Sequence, residues 1–235
     1  MNFQEIANSA DQRIIFVHVA TNTVVSYPAF LTEYSDTYSV GWGEERVYGR
    51  MDAIKPYVGT TRNVSIAFDV VSDSIENARE NFLKYSVLTQ MLYPVYGEPL
   101  KEGGTRGRTL KAPPLLRVKF VNLVSNSAPR SDDLGLLGCI SGLTFNPNRD
   151  MGFFVESNGD LLPKVFNISF KFDPQHEHTL GWKTEAESDD AAATFLAAKF
   201  PYGRPGTDKF RGLAAEGMND VQAAREATAL KGTGD

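Results

Sequence analysis

The chain has 235 residues, of which 42% are hydrophobic and 23% charged, and its net charge is −5. That is enough apolar material for one large domain or a domain with an appendage, and the mild acidity gives no overall attraction to nucleic acid or an anionic membrane. The single cysteine, Cys139, excludes an internal disulfide and a cysteine-based metal site; with a polar start at Met1–Asp11 and no apolar run near the ~20 residues that span a bilayer, the expectation is a soluble protein of a reducing cytoplasm with no membrane partner.

In chain order, Ile14–Val19 and Val24–Tyr27 read as short strands, the second ended by Pro28. Phe30–Trp42 (FLTEYSDTYSVGW) carries Phe30, Tyr34, Tyr38 and Trp42 at even positions, with Thr32, Asp36 and Val40 among them, as a long exposed or half-buried strand would. Val64, Ile66, Phe68 and Val70 alternate with Ser65, Ala67 and Asp69, the clearest strand pattern in the chain. Arg50, Asp52 and Arg62 precede or open that strand, and an arginine is expected to pair with Asp52 or Asp69.

A helix follows. Asp73 and Glu76 have the spacing of a capping box, Ile75, Ala78, Phe82, Tyr85, Leu88 and Leu92 recur at helical intervals, and Tyr93-Pro94 stops the pattern. Burying each large side chain gains about 1.5–3 kcal/mol, while ordering each residue costs about 1–2 kcal/mol, so the helix must lie on a sheet. The predicted core joins Phe68, Phe82, Leu88, Phe120, Ile168 and Phe170. Residues 97–113, rich in glycine with scattered charge, read as a long loop.

Leu116, Val118 and Phe120 alternate again, and Cys139 sits in the apolar run Leu136–Ile140 as a small buried hydrophobe. Asn158-Gly159 marks a hairpin turn between Phe153–Val155 and the strand ending at Phe172, where Phe166, Ile168, Phe170 and Phe172 share a face. Beyond Trp182 the chain turns alanine-rich and acidic. Helices are expected from Ser188 through Phe200 and from Asn219 through Lys231, giving a β domain over 1–182 and a partly helical arm over 183–235.

Chemical signatures are weak. His176-Glu177-His178 puts two imidazoles on one face of an extended segment, short of the three or four ligands of a metal site. Asn146-x-Asn148-x-Asp150 imitates a calcium loop, but Met151 and Ser157 stand where glycine and glutamate belong, which favours a turn. Gly103-Gly104-Thr105-Arg106-Gly107-Arg108 is basic and glycine-rich, yet it lacks the phosphate-loop pattern and precedes a strand. No catalytic set, metal site or cofactor site emerges, and the expectation is a protein that is not an enzyme.

A series of segments carries a resemblance. Val47-Tyr48-Gly49-Arg50-Met51-Asp52 leads through Pro56-Tyr57 and Thr61-Arg62 into the Val64–Val70 strand, then the helix and Leu92-Tyr93-Pro94-Val95-Tyr96. Pro114–Phe120, Gly138-Cys139-Ile140-Ser141-Gly142, Asp150–Phe154, Leu162–Val165, Phe166–Phe172, His176-Glu177 and Leu180-Gly181-Trp182 continue it. Over residues 30–182 the chain resembles the tube-initiator and baseplate–tail-tube junction proteins of contractile-tailed bacteriophages. The resemblance implies a mainly β, tail-tube-like sandwich or barrel with a flanking helix. It also implies a hexameric ring in the virion that starts tube assembly, meets baseplate hub and tube proteins, and lets DNA pass without specific binding. Tyr34, Tyr38, Trp42, Arg106 and Arg108 are the candidate subunit contacts. The alternative is a hub or peripheral adaptor that binds another baseplate subunit or peptidoglycan.

Overall fold

The computed structural model describes residues 13–28, 30–99, 108–126, 135–156, 159–183, 194–195 and 200–202. The elements are β1 (Arg13–His18), β2 (Val24–Pro28), β3 (Phe30–Trp42), β4 (Tyr57–Val71), α1 (Ile75–Gln90), β5 (Val95–Pro99), β6 (Arg108–Ala112), β7 (Leu116–Phe120), β8 (Leu136–Pro147), β9 (Phe153–Val155), β10 (Leu161–Pro163), β11 (Val165–Pro174), β12 (Trp182–Lys183) and β13 (Thr194–Phe195). The protein is mainly β, with one helix among the described residues.

Seven strands form an antiparallel sheet in the order β2-β1-β7-β8-β11-β4-β3. The two edge strands, β2 and β3, are separated by residue 29 alone, so the sheet must curl until its ends approach each other. Ring contacts across the curl agree. Tyr27 on β2 meets Phe68 on β4 with centroids 6.0 Å apart, and Phe16 on β1 meets Phe170 on β11 at 5.4 Å. The concave face therefore encloses one core: Ile14 and Phe16, Val25 and Tyr27, Val64 through Val70 at alternate positions, Leu116 through Phe120 likewise, and Phe166 through Phe172 likewise. Period-two alternation is what a sheet with one buried face requires. Gly138 is needed where β8 crosses β11, since a Cβ there would lie 2.4 Å from the Asp173 carbonyl oxygen and 2.7 Å from the Phe172 ring.

α1 packs against β2 and β10. Its cap is one residue later than the expected box: Ser74, in extended conformation, accepts from the Asn77 N–H, while the Asp73 carboxylate takes the Asn77 side-chain amide at 2.7 Å. The buried stripe is Asn77, Ala78, Asn81 and Leu88. The Asn81 side-chain amide, carried inward, donates to the Ser72 hydroxyl and to the Asn77 side-chain oxygen, each at 3.1 Å. Phe82, expected in the core, is 37% exposed, because this stripe rotates it to the flank beside Phe145. The rest of the predicted core set is buried.

Other expectations are corrected. The ends of the 97–113 segment belong to β5 and β6, which pair as a two-stranded ribbon. The turn containing Gly159, which has φ +90°, joins β9 to the short β10, and β11 follows as a separate strand. Thr194–Phe195, placed in a helix by the sequence reading, pairs with Trp182–Lys183 in a strand ladder, as a β-branched and an aromatic residue favour. The Asn219–Lys231 helix lies outside the described residues.

Candidate functional site

The feature that stands apart from the curled core is a β hairpin. β4 pairs with β11 only from Val64 to Val71, whereas its pairing with β3 begins at Tyr57. Thr37–Trp42 and Tyr57–Asn63 therefore run on as a two-stranded ribbon past the end of the main sheet. A bridge between Glu45 and Ile54 and the bond from the Gly43 N–H to the Pro56 carbonyl extend it. Such a ribbon is marginal alone and needs cover on a face. Yet it exposes Val40, Trp42, Tyr57 and Val58, and beyond them Val47, Tyr48, Met51 and Ile54, with Tyr48 and Met51 fully exposed. Trp42 and Tyr57 meet edge to face at 5.6 Å. A concentration of exposed apolar side chains of this kind marks an interaction surface.

Cover exists at the hairpin's root. Arg62 continues the inward face of Val64, Ile66, Phe68 and Val70, and it finds Asp36 on the neighbouring strand. The guanidinium Nη2 donates to Asp36 Oδ2 at 2.7 Å, and Nε donates to Oδ1 at 2.9 Å. Both side chains are only 4% exposed. The Tyr202 hydroxyl donates to Asp36 Oδ2 at 2.6 Å, and the Tyr38 hydroxyl to the same oxygen at 3.1 Å. Arg62 lies against two rings, Tyr38 at 5.5 Å and Phe200 at 5.3 Å, each near enough for cation–π attraction. Phe200 in turn meets the His176 ring edge to face at 5.4 Å.

The electrostatics follow from this packing. Burial alone pushes the Asp36 carboxyl up, but the hydrogen bonds from Arg62 and Tyr202, with the Arg62 charge, outweigh it and leave Asp36 below its ordinary pKa. Burial likewise lowers Arg62, and Asp36 more than restores it, so the pair is charged. Burial, then the charges of Arg62 and His178, depress His176 from 6.5 to about 4, with Asp36 opposing, so the ring is neutral near pH 7. Burial raises the phenols of Tyr34 and Tyr38. At neutral pH the cluster is a fixed ion pair in an aromatic frame, suited to holding strands in place.

The sequence-derived contact residues divide. Tyr34 is half-buried, its hydroxyl donating to the Leu123 carbonyl at 3.1 Å and its ring packed on the core. Tyr38 belongs to the root cluster and Trp42 to the outer ribbon. Arg108 is exposed at the start of β6, and Arg106 lies outside the described residues. The even-numbered aromatics do not all share a face. A bulge between Leu31 and Glu33 inserts Thr32, so Leu31 stands opposite Phe68 while Tyr34 stands opposite Ile66, and Phe30 turns to the outer side. Arg62 pairs with neither Asp52 nor Asp69; Asp69 instead accepts from the Asn167 amide at 2.7 Å. Parity puts Arg62 with the core residues after it and Asp36 with Tyr34 and Tyr38, but only the register of β3 on β4 makes Asp36 the partner of Arg62. The contribution of Phe200 and Tyr202 had no such local signal.

His176 and His178 lie in a bend past the end of β11, not in an extended segment, and their ring centroids are 5.9 Å apart. Glu177 points away and forms a two-pronged pair with Arg117, at 2.6 and 2.7 Å. Among the described residues no three His, Cys, Asp or Glu side chains converge as metal ligands would. Asn148 Oδ1 accepts the N–H groups of Asp150 and Met151, which is the geometry of an Asx turn. No helix of the described residues is long and apolar enough to cross a membrane. No protein-family model matches the chain, and no curated protein matches it.

Proposed function

We propose that this protein is a structural component of a contractile phage tail, forming a ring at the junction of baseplate and tail tube from which the tube grows. The reading rests on the resemblance over residues 30–182 and on one observation above all: an edge strand that continues into a projecting hairpin with apolar side chains exposed along it. An edge strand offers unpaired backbone groups to a neighbour, and closure into a ring removes the hazard such edges pose. β3 pairs only with β4 among the described strands, so its other edge is the natural lateral contact. The hairpin reaches past the body of the subunit and suits contact with an adjacent layer of the assembly.

The convex face of the sheet also suits the role. Ser65, Asp69, Asn167, Ser169, Lys171 and Thr144 give it short polar side chains of mixed charge, with Asn167 bridging Asp69 and Thr32. Such a face can line a channel without gripping DNA, in keeping with the net charge of −5. A ring former works by geometry: its lateral contacts close, and its axial contacts propagate the tube.

The test is electron microscopy and light scattering of the purified protein at rising concentration. Rings with a central hole are expected. A species that stays at 25.9 kDa at every concentration would transfer the reading to the alternative, a peripheral adaptor of the baseplate.

A further inference from the structure

We propose that Phe200-Pro201-Tyr202 is a latch that locks the projecting hairpin onto the curled sheet by closing over the Arg62–Asp36 pair at its root. Val64 opposite Phe172 is the last β4 residue with β11 behind it, so Arg62 is the first inward-facing residue of the free ribbon. Asp36 on β3 stands opposite Val64, one inward-facing pair nearer the main sheet, and reaches Arg62 diagonally. A charged pair at that point would normally face water, yet both side chains are 4% exposed.

The cover includes residues from a distant part of the chain. Phe200 lies against the Arg62 guanidinium and meets Tyr38 edge to face at 6.0 Å. Tyr202 places its hydroxyl 2.6 Å from Asp36 Oδ2, the shortest hydrogen bond that carboxylate accepts. His176, just past the end of β11, holds the other side of Phe200. The latch thus touches β3 through Asp36 and Tyr38, β4 through Arg62, and the β11 extension through His176. It joins the ribbon to the main sheet at the level where backbone pairing between them ends. With the latch seated, the hairpin is a rigid extension of the sheet; with it withdrawn, the ribbon can swing about Thr37 and Asn63. This inference does not depend on the identity of the assembly.

Hydrogen–deuterium exchange on the full chain tests it, comparing the parent with Phe200→Ala and Tyr202→Phe. Amides of residues 37–42 and 57–63 are expected to exchange about tenfold faster in Phe200→Ala, with a smaller acceleration in Tyr202→Phe, while residues 64–70 and 166–172 keep their parent rates. Unchanged hairpin exchange in both variants overturns the latch. Acceleration spread evenly into 64–70 and 166–172, or unfolding of the whole protein by either change, overturns it as well, because the segment would then be part of the core.

Discussion

The inner and outer halves of β4 are one strand in two environments. From Val64 to Val70 every inward residue is buried against apolar neighbours on β11 and across the curl, and the backbone is paired on both sides. From Tyr57 to Asn63 the same strand has one backbone partner, and its only buried residue is an arginine tied to a carboxylate. The first half is held by non-directional hydrophobic burial. The second is held by a few directional contacts at its root, and its far end is left open. A strand in the first environment tolerates little change in volume, and one in the second little change in charge.

Phe68→Ala should produce the largest loss, about 4 kcal/mol in urea unfolding, because it empties a fully buried site against Tyr27. Asp36→Ala should cost about 3 kcal/mol by leaving Arg62 buried without its counter-charge. Replacing both, as Asp36→Leu with Arg62→Met, should recover most of that loss; if it does not, the outer half depends on the ion pair more than on burial, and the contrast sharpens. Phe82→Ala, on the helix flank, should cost about 1 kcal/mol, well below a core phenylalanine, since 37% of the residue is already exposed.

The pH dependence that arises at the root is smaller. His176 is depressed in the folded protein from 6.5 to about 4, chiefly by burial and by Arg62, with His178 adding to this and Asp36 opposing it. Between those values the unfolded chain binds a proton that the folded chain does not, so stability rises with pH across the window and is lost as pH falls through it. Thermal melts from pH 7 to pH 4 should show this slope, and His176→Gln should flatten it. Least of all in stability, Tyr48→Ser with Met51→Ser at the tip should change unfolding by under about 0.5 kcal/mol. The same double variant should reduce assembly into rings or onto partners, as followed by light scattering. Undiminished assembly would remove the tip from the interface.

Much of the inner region was readable from residues. Alternation at Leu116–Phe120, Val64–Val70 and Phe166–Phe172 marked three core strands, and the bounds of β3 match the Phe30–Trp42 reading. The outer half of β4 was missed because Tyr57–Asn63 (YVGTTRN) has no apolar alternation, as a ribbon without a buried face needs none. The pattern of β3 does not reveal that one inserted residue, Thr32, puts Phe30 on the face opposite to Tyr34. Phe82 lies on the flank because the helix turns Asn77 and Asn81 inward, where the Asn81 amide donates to the Ser72 hydroxyl just ahead of the helix.

By itself the sequence determined that the described residues are mainly β with the helix Ile75–Gln90, and which positions of the three alternating core strands face inward, because periodicity is a local consequence of strand and helix geometry. Tertiary structure alone decided that the two edge strands come round to enclose one core, that Arg62 takes Asp36, and that Phe200 and Tyr202 return to cover them. Those outcomes depend on distances between residues far apart in the chain, where contact is set by how the whole sheet curls and no local pattern records it.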